Sequence, residues 1–301
     1  MALPATARLW EAGARDGLQN ETVEVSTAIK VELIERLADC GLKQIEAASF
    51  VSPKWVPRMA DSAAVMAQLR RQPGVVYQAL TPNLQGVAAA VAAKVDHIAV
   101  FPAASESFSK RNLNCSIAES LAGIAKVCAE AKARGLEVRG FISTAIGCPF
   151  EGPVDPEKVA GIAKSLVDFG CTDISLGDTI GVGTPRQVQK LIEACARVVP
   201  LNRLGVHFHD TYGQALANIL MALEMGIATI DSSVAGLGGC PYAPGATGNV
   251  ATEDVVYMLD GLGIESGVDL SKLVRTAWWI SDRLGRPPVS RVARALKSKY
   301  L

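Results

Sequence analysis

Eight short runs rich in β-branched and apolar residues recur along the chain, each followed by a stretch of helical periodicity. This alternation restricts the fold more than any other feature. The runs lie at 8–12, 43–48, 75–80, 97–101, 136–142, 173–176, 204–208 and 229–233. Strands that alternate with helices build parallel sheets, because a parallel pair needs a long crossover and a helix supplies it. The helical signals are local. Ile29, Leu33, Ile34 and Leu37 repeat at helical spacing behind the capping candidate Ser26. Residues 156–169 follow Asp155, begin on Pro156 and stop at Gly170, and residues 184–198 repeat the pattern with Thr184 and Pro185. Eight such units without a polar linker predict an α/β fold, a (β/α)8 TIM barrel, as one domain over residues 1–301. Additional C-terminal helices are expected from about Asp269. The rival is a doubly wound open sheet, but the first strand–helix turn lacks the Gly-x-Gly-x-x-Gly cradle of that fold.

Thirty basic side chains balance thirty acidic ones, so no overall field draws the chain to nucleic acid or an anionic membrane. No apolar run reaches the roughly 18 residues of a membrane span. The seven cysteines are odd in number and contain no Cys-x-x-Cys pair. The first apolar run begins too early to leave room for a secretory signal. The cysteines therefore read as reduced thiols of a cytoplasmic protein.

A barrel of this kind gathers its chemistry at the C-terminal ends of its strands. Polar residues collect there. Arg15-Asp16-Gly17-Leu18-Gln19-Asn20 follows strand one, strand two carries Glu46 and strand five Arg139. Gly177-Asp178-Thr179 ends strand six, and His207-Phe208-His209-Asp210 ends strand seven. Only three histidines occur, and alternation turns His207 and His209 to the same face, as two ligands of one metal require. The alternative is a pair of structural imidazoles, the reading that suits His97 at the start of its apolar strand. Asp16 alone would be a cap; opposite two histidines it becomes a candidate third ligand and base. Arg15 either pairs with Glu46 or Asp178 or reaches a substrate oxygen, and a paired arginine is pre-oriented for the second task.

Strand eight leads into Gly236-Leu-Gly-Gly-Cys-Pro-Tyr-Ala-Pro-Gly-Ala-Thr-Gly-Asn249, which holds five glycines and two prolines. Such a loop is mobile and stiffened only at its turns, a poor place for a core thiol. Cys240 is open to reading as a zinc ligand, a nucleophile or a proton donor. The last fits a thiol whose ordinary pKa of about 8.5 keeps it protonated at neutral pH. Asn249 is either a turn residue or a fourth, neutral ligand through its amide oxygen. One carboxylate, two imidazoles and an amide oxygen suit an octahedral divalent ion, Mg²⁺ or Mn²⁺, with the imidazoles favouring Mn²⁺.

Five stretches carry a resemblance: Glu11-Ala-Gly-Ala-Arg-Asp-Gly-Leu-Gln-Asn-Glu21, Ile45-Glu-Ala-Ala-Ser-Phe-Val-Ser-Pro-Lys-Trp-Val-Pro57, Ser175-Leu-Gly-Asp-Thr179, His207-Phe-His-Asp210 and Gly238-Gly-Cys-Pro-Tyr-Ala243. Together they resemble the 3-hydroxy-3-methylglutaryl-CoA (HMG-CoA) lyase family of metal-dependent barrel lyases, in its bacterial form. The likeness runs from about residue 8 to about residue 262. Arg-Asp and His-x-His alone point to a wider group that includes Claisen-type synthases, and the Gly-Gly-Cys-Pro-Tyr loop narrows it to the lyases.

The resemblance implies retro-Claisen cleavage of HMG-CoA to acetoacetate and acetyl-CoA, in leucine or ketone-body metabolism, by a homodimer. It also implies Asp16, His207, His209 and Asn249 as metal ligands and Cys240 as a catalytic residue. Arg15 would stabilise the enolate, with Glu46, Asp178 and Arg139 shaping the site. The base is either Asp16 or His207. Gln19, Arg139 and Thr179 are carried over as substrate contacts, and Lys110 and Arg111, in a loop at 105–114, are the candidates for CoA phosphates.

Ala12, Ala14, Ala48 and Thr144 depart from the family pattern without touching a ligand. They bear on pocket shape, and a longer substrate such as 3-hydroxy-3-isohexenylglutaryl-CoA is the nearest alternative. A Claisen-type synthase and a non-catalytic acyl-CoA-binding protein are more distant readings. The presence of every expected catalytic residue type speaks against the last.

Overall fold

A computed structural model describes residues 3–238 and 248–301. The eight runs become strands β1 (Arg8–Glu11), β2 (Gln44–Ser49), β3 (Val76–Leu80), β4 (His97–Val100), β5 (Glu137–Ile142), β6 (Asp173–Asp178), β7 (Leu204–Phe208) and β8 (Thr229–Ser232). Each is parallel to its neighbours in sequence, and β8 returns to β1 with Arg8 opposite Thr229 and Glu11 opposite Ser232. The sheet is therefore a closed eight-stranded barrel. A small antiparallel ribbon, Gly147–Cys148 with Gly152–Pro153, lies in the connection from β5 to β6.

The helices start where their caps dictate. Ser26 accepts from the backbone N–H of Ile29, Asp155 from that of Glu157, and Thr184 forms a capping box with Gln187. Each such cap contributes on the order of 1 kcal/mol. Leu33, Ile34 and Leu37 on the first helix are completely buried, each a gain of roughly 1.5–3 kcal/mol. The segment 105–114, expected as a loop, is instead a helix over Glu106–Leu113, capped by Ser105 and stopped by Asn114 at φ 56°. The local cap signal outweighed the polar composition.

Alternation along the strands separates two environments. Leu9, Ile45, Ile98, Val138, Ile174, Val206 and Ile230 join the apolar core. Between them, Trp10, Glu46, Gln78, Arg139, Ser175, His207 and Asp231 meet one another inside the barrel. Barrel interiors are usually filled by branched aliphatic side chains, so this polar filling must be paired to be tolerated. It is paired. Arg139 Nη2 donates to Asp231 Oδ1 at 2.7 Å, Ser175 Oγ to Asp231 Oδ2 at 2.7 Å, and Arg8 pairs with Asp173.

Beyond the eighth unit, Asp269 caps the helix Leu270–Arg283, and the short helices Arg291–Ala295 and Lys297–Tyr300 follow. This extension braces the turn after β8: Val289 N–H donates to the Ala235 carbonyl, and Ser290 Oγ donates to Asp254. Among the described residues no helix is long and apolar enough to cross a membrane.

Candidate active site at the C-terminal mouth of the barrel

After β1 the chain makes a π-helical turn over Gly13–Gly17, and this turn presents Arg15 and Asp16. Side chains do not fit at its glycines: a Cβ at Gly13 would stand 2.6 Å from Glu11 Oε1, and one at Gly17 2.6 Å from Leu237 Cβ. Glu11, wholly buried, accepts from the N–H groups of Gly13 and Val234 at 2.8 Å each and from the Thr252 hydroxyl at 2.6 Å. Burial pushes its carboxyl up to about 7. Glu11 thus ties the turn after β1 to the turn after β8.

The pairing of β2 with β3 shifts register between Glu46 and Ala48, a bulge beside the site. Glu46 Oε2 accepts from Arg15 Nε at 2.8 Å, and its Oε1 accepts from Gln78 Nε2 at 2.8 Å. Arg15 Nη1 donates to Asp16 Oδ1 at 2.8 Å. Of its two expected carboxylate partners, Arg15 takes Glu46.

Asp16, His207 and His209 each place one ligand atom within 4.8 Å of the others. The two imidazole centroids are 5.5 Å apart. Burial opposes ionisation of Asp16, but the charges of Arg15 and His207 outweigh it and bring the carboxyl down to about 2. Burial and the neighbouring His207 lower His209 to about 4. At neutral pH the cluster thus offers an ionised carboxylate and a neutral imidazole, the forms that ligate a divalent ion. His209 Nδ1 is buried with no hydrogen-bond partner among the described residues, a costly state unless something binds there. The donor set fits a metal ion.

Asn249 arrives because the chain zips onto the end of β7. His209 and Asn249 form an antiparallel bridge, and Asp210 N–H donates to the Gly248 carbonyl at 2.7 Å. The Asn249 amide NH₂ donates to Asp16 Oδ2 at 2.8 Å and to the Leu237 carbonyl at 3.2 Å. Gly238, at φ 100°, permits this approach, since a Cβ there would lie 2.8 Å from Asn249 Nδ2.

The other expected residues are placed differently. Asp178 ends β6 completely buried and accepts from Gly183 N–H at 2.8 Å and Val182 N–H at 3.2 Å, with burial raising its carboxyl to about 6. Thr179 Oγ1 accepts from the N–H of Thr144, a β-branched residue strained at φ 56°. Gln19 Oε1 is buried without a partner among the described residues. Lys110 and Arg111 are exposed on the helix entered from β4, with Arg111 stacked 4.2 Å from the Phe150 ring centroid.

Arg139 departs from its expected strand-end position. It is the third residue of β5, is 1% exposed, and lies inside the barrel with its guanidinium on Asp231 and Asp173. Cys240 lies outside the described residues. Glu11, Gln78 and Asp231 join the site without belonging to the candidate residues of the sequence. Their signal is a polar residue within an otherwise apolar strand run, at a position where the strand alternation or its end faces the site.

Known proteins align along nearly the whole chain. The HMGL-like family profile matches residues 6–280. A Pseudomonas aeruginosa protein named 3-hydroxy-3-isohexenylglutaryl-CoA/hydroxy-methylglutaryl-CoA lyase is 56% identical over 299 residues, covering 99% of this chain and 100% of that protein. An Arabidopsis thaliana mitochondrial hydroxymethylglutaryl-CoA lyase is 56% identical over 297 residues; the chain spans 64% of that protein's length and 99% of its own. The crystal structure of hydroxymethylglutaryl-CoA lyase from Pseudomonas aeruginosa superposes with a TM-score of 0.97 at 56% identity, covering 99% of this chain and 100% of that one. The chain belongs to the HMGL-like family.

Proposed function

We propose that this protein cleaves HMG-CoA to acetoacetate and acetyl-CoA, with Asp16, His207, His209 and Asn249 holding a divalent ion, Mg²⁺ or Mn²⁺. The observation that carries this reading is the approach of Asp16, His207 and His209 to within 4.8 Å of one another, beside an arginine already fixed by Glu46. An ion bound by these residues would supply Lewis acidity to the substrate. Asp16 or His207 accepts the proton of the tertiary hydroxyl. The oxygen's electron pair then forms a carbonyl at C3, the C2–C3 bond breaks, and its electron pair passes to the acetyl-CoA fragment as an enolate. Arg15 stabilises the enolate oxygen, its guanidinium held in place so that little reorganisation is needed. Cys240 delivers a proton to the enolate carbon and completes acetyl-CoA.

Gln19, whose buried oxygen has no partner among the described residues, and Thr179 contact the substrate in this reading. Lys110 and Arg111 receive CoA phosphates at the surface. Asp178 supports the site by folding its own connection onto the barrel end. The enzyme works in the cytoplasm as a homodimer.

The test is product analysis with purified protein and added Mg²⁺ or Mn²⁺. Equimolar acetoacetate and acetyl-CoA are expected, and absence of either overturns the assignment. The double name of the 56% identical Pseudomonas protein favours a second reading, in which the longer isohexenyl substrate is also cleaved. The ratio of kcat/KM on the two substrates decides between them, and a strong preference for the longer chain would make it the principal substrate.

A further inference from the structure

The barrel interior holds a charge ladder that the chemistry above does not use. Arg139 heads the fully buried side chains by volume. Its guanidinium carbon lies 4.7 Å from the Trp10 ring centroid and 4.6 Å from that of Phe141. Nη2 donates to Asp231 Oδ1 at 2.7 Å, and Nε stands 3.5 Å from Asp173 Oδ1. The other Asp231 oxygen accepts from Ser175 Oγ at 2.7 Å and stands 3.3 Å from His207 Nδ1. Phe141 meets the His207 ring edge-on, at 6.0 Å and 88°. Burying a guanidinium is costly unless opposite charges and hydrogen bonds meet it in good geometry. Here the carboxylate it fixes is the one against His207.

We infer that Asp231, held by Arg139 and Ser175, is a positioning residue for the metal centre. Through its 3.3 Å contact with His207 Nδ1 it would orient the Nδ1–H, which fixes the tautomer, leaves the Nε2 lone pair as the metal ligand and so assigns the hydroxyl proton to Asp16. Arg139 acts through Asp231 and does not touch substrate. This inference rests on the metal-binding reading of the site. Asp173 provides an internal comparison, because it also pairs with Arg139 but its other partner is Arg8, toward the N-terminal end of the barrel.

Mn²⁺ binding, followed by electron paramagnetic resonance, tests the inference in the parent, Asp231→Asn and Asp173→Asn proteins. Asp231→Asn is expected to weaken binding about 10–100-fold, while Asp173→Asn stays within about threefold of the parent. Asp231→Asn binding like the parent, or equal losses in the two variants, would overturn the inference. A parent that binds no Mn²⁺ would instead refute the metal reading. Should Asp231→Asn fail to fold, ¹⁵N-histidine NMR of the Mg²⁺-saturated parent decides, with only three histidines to assign. The Nδ1–H tautomer of His207 is expected, and an Nε2–H tautomer would overturn the inference.

Discussion

Both Nε and Nη2 of Arg15 donate to a single oxygen of Glu46, Oε2. With Nη1 on Asp16, the guanidinium is held along two edges before any substrate arrives. Its charge is neutralised and its direction set by Glu46 on β2 and by Asp16 in its own turn. That arrangement turns a mobile surface residue type into a fixed electrostatic element.

Arg15→Lys follows from this geometry. Lysine keeps the charge but presents a single nitrogen, so it cannot hold Glu46 and Asp16 together along a planar fork. A loss of about 100-fold or more in kcat is expected, the size seen when an aligned donor is removed from a developing oxyanion. Mn²⁺ affinity should change only a few-fold. Steady-state kinetics beside a metal titration separates the two, and unchanged kcat would remove Arg15 from the chemistry.

Cys240→Ala should keep metal and substrate binding and lose most of kcat, because a proton donor acts only after the carbon–carbon bond has broken. The check is kcat and KM on HMG-CoA together with Mn²⁺ binding. Normal turnover would assign the proton to another group.

Glu253 gives a pH dependence outside the metal site. Its two oxygens accept from the N–H of Ala235 at 2.9 and 3.2 Å, holding that residue at φ 60°. Burial raises its carboxyl from 4.5 to about 8. Between those values the folded chain keeps a proton that the unfolded chain has lost. The stability this proton represents is full below pH 4.5 and is lost as pH rises to about 8. Urea unfolding of Glu253→Gln should therefore show a pH slope shallower than the parent's by about 1.4 kcal/mol per unit in that window. Equal slopes would show that Glu253 is ionised in the folded protein.

Much of the architecture was legible because its signals are local. The eight strands begin and end within two residues of their apolar runs, and Ser26, Asp155 and Thr184 cap the helices that follow them. His207 and His209 were legible as a pair because a period of two decides their common face. What escaped depends on contacts distant in sequence. The π-turn that presents Asp16 needs Glu11 to meet Val234, 223 residues away. Arg139 illustrates a different limit: a strand's sequence tells which face a residue takes but not its depth along the barrel. Asp231 escaped because its meaning comes from His207 on the neighbouring strand. The charges of Lys110 and Arg111 suggest a solvated loop, whereas Ser105 and Asn114 mark their segment as a helix.

The central claim is that this His–Asp cluster holds the ion that carbon–carbon cleavage requires. The most direct measurement is acetoacetate release from HMG-CoA by metal-stripped protein titrated with Mn²⁺, with the parent and His209→Ala side by side. The parent should be inactive when stripped and recover with Mn²⁺, while His209→Ala should need at least about 100-fold more metal or fail to recover. Full acetoacetate release before any metal is added, or identical recovery curves for the two proteins, would contradict the account.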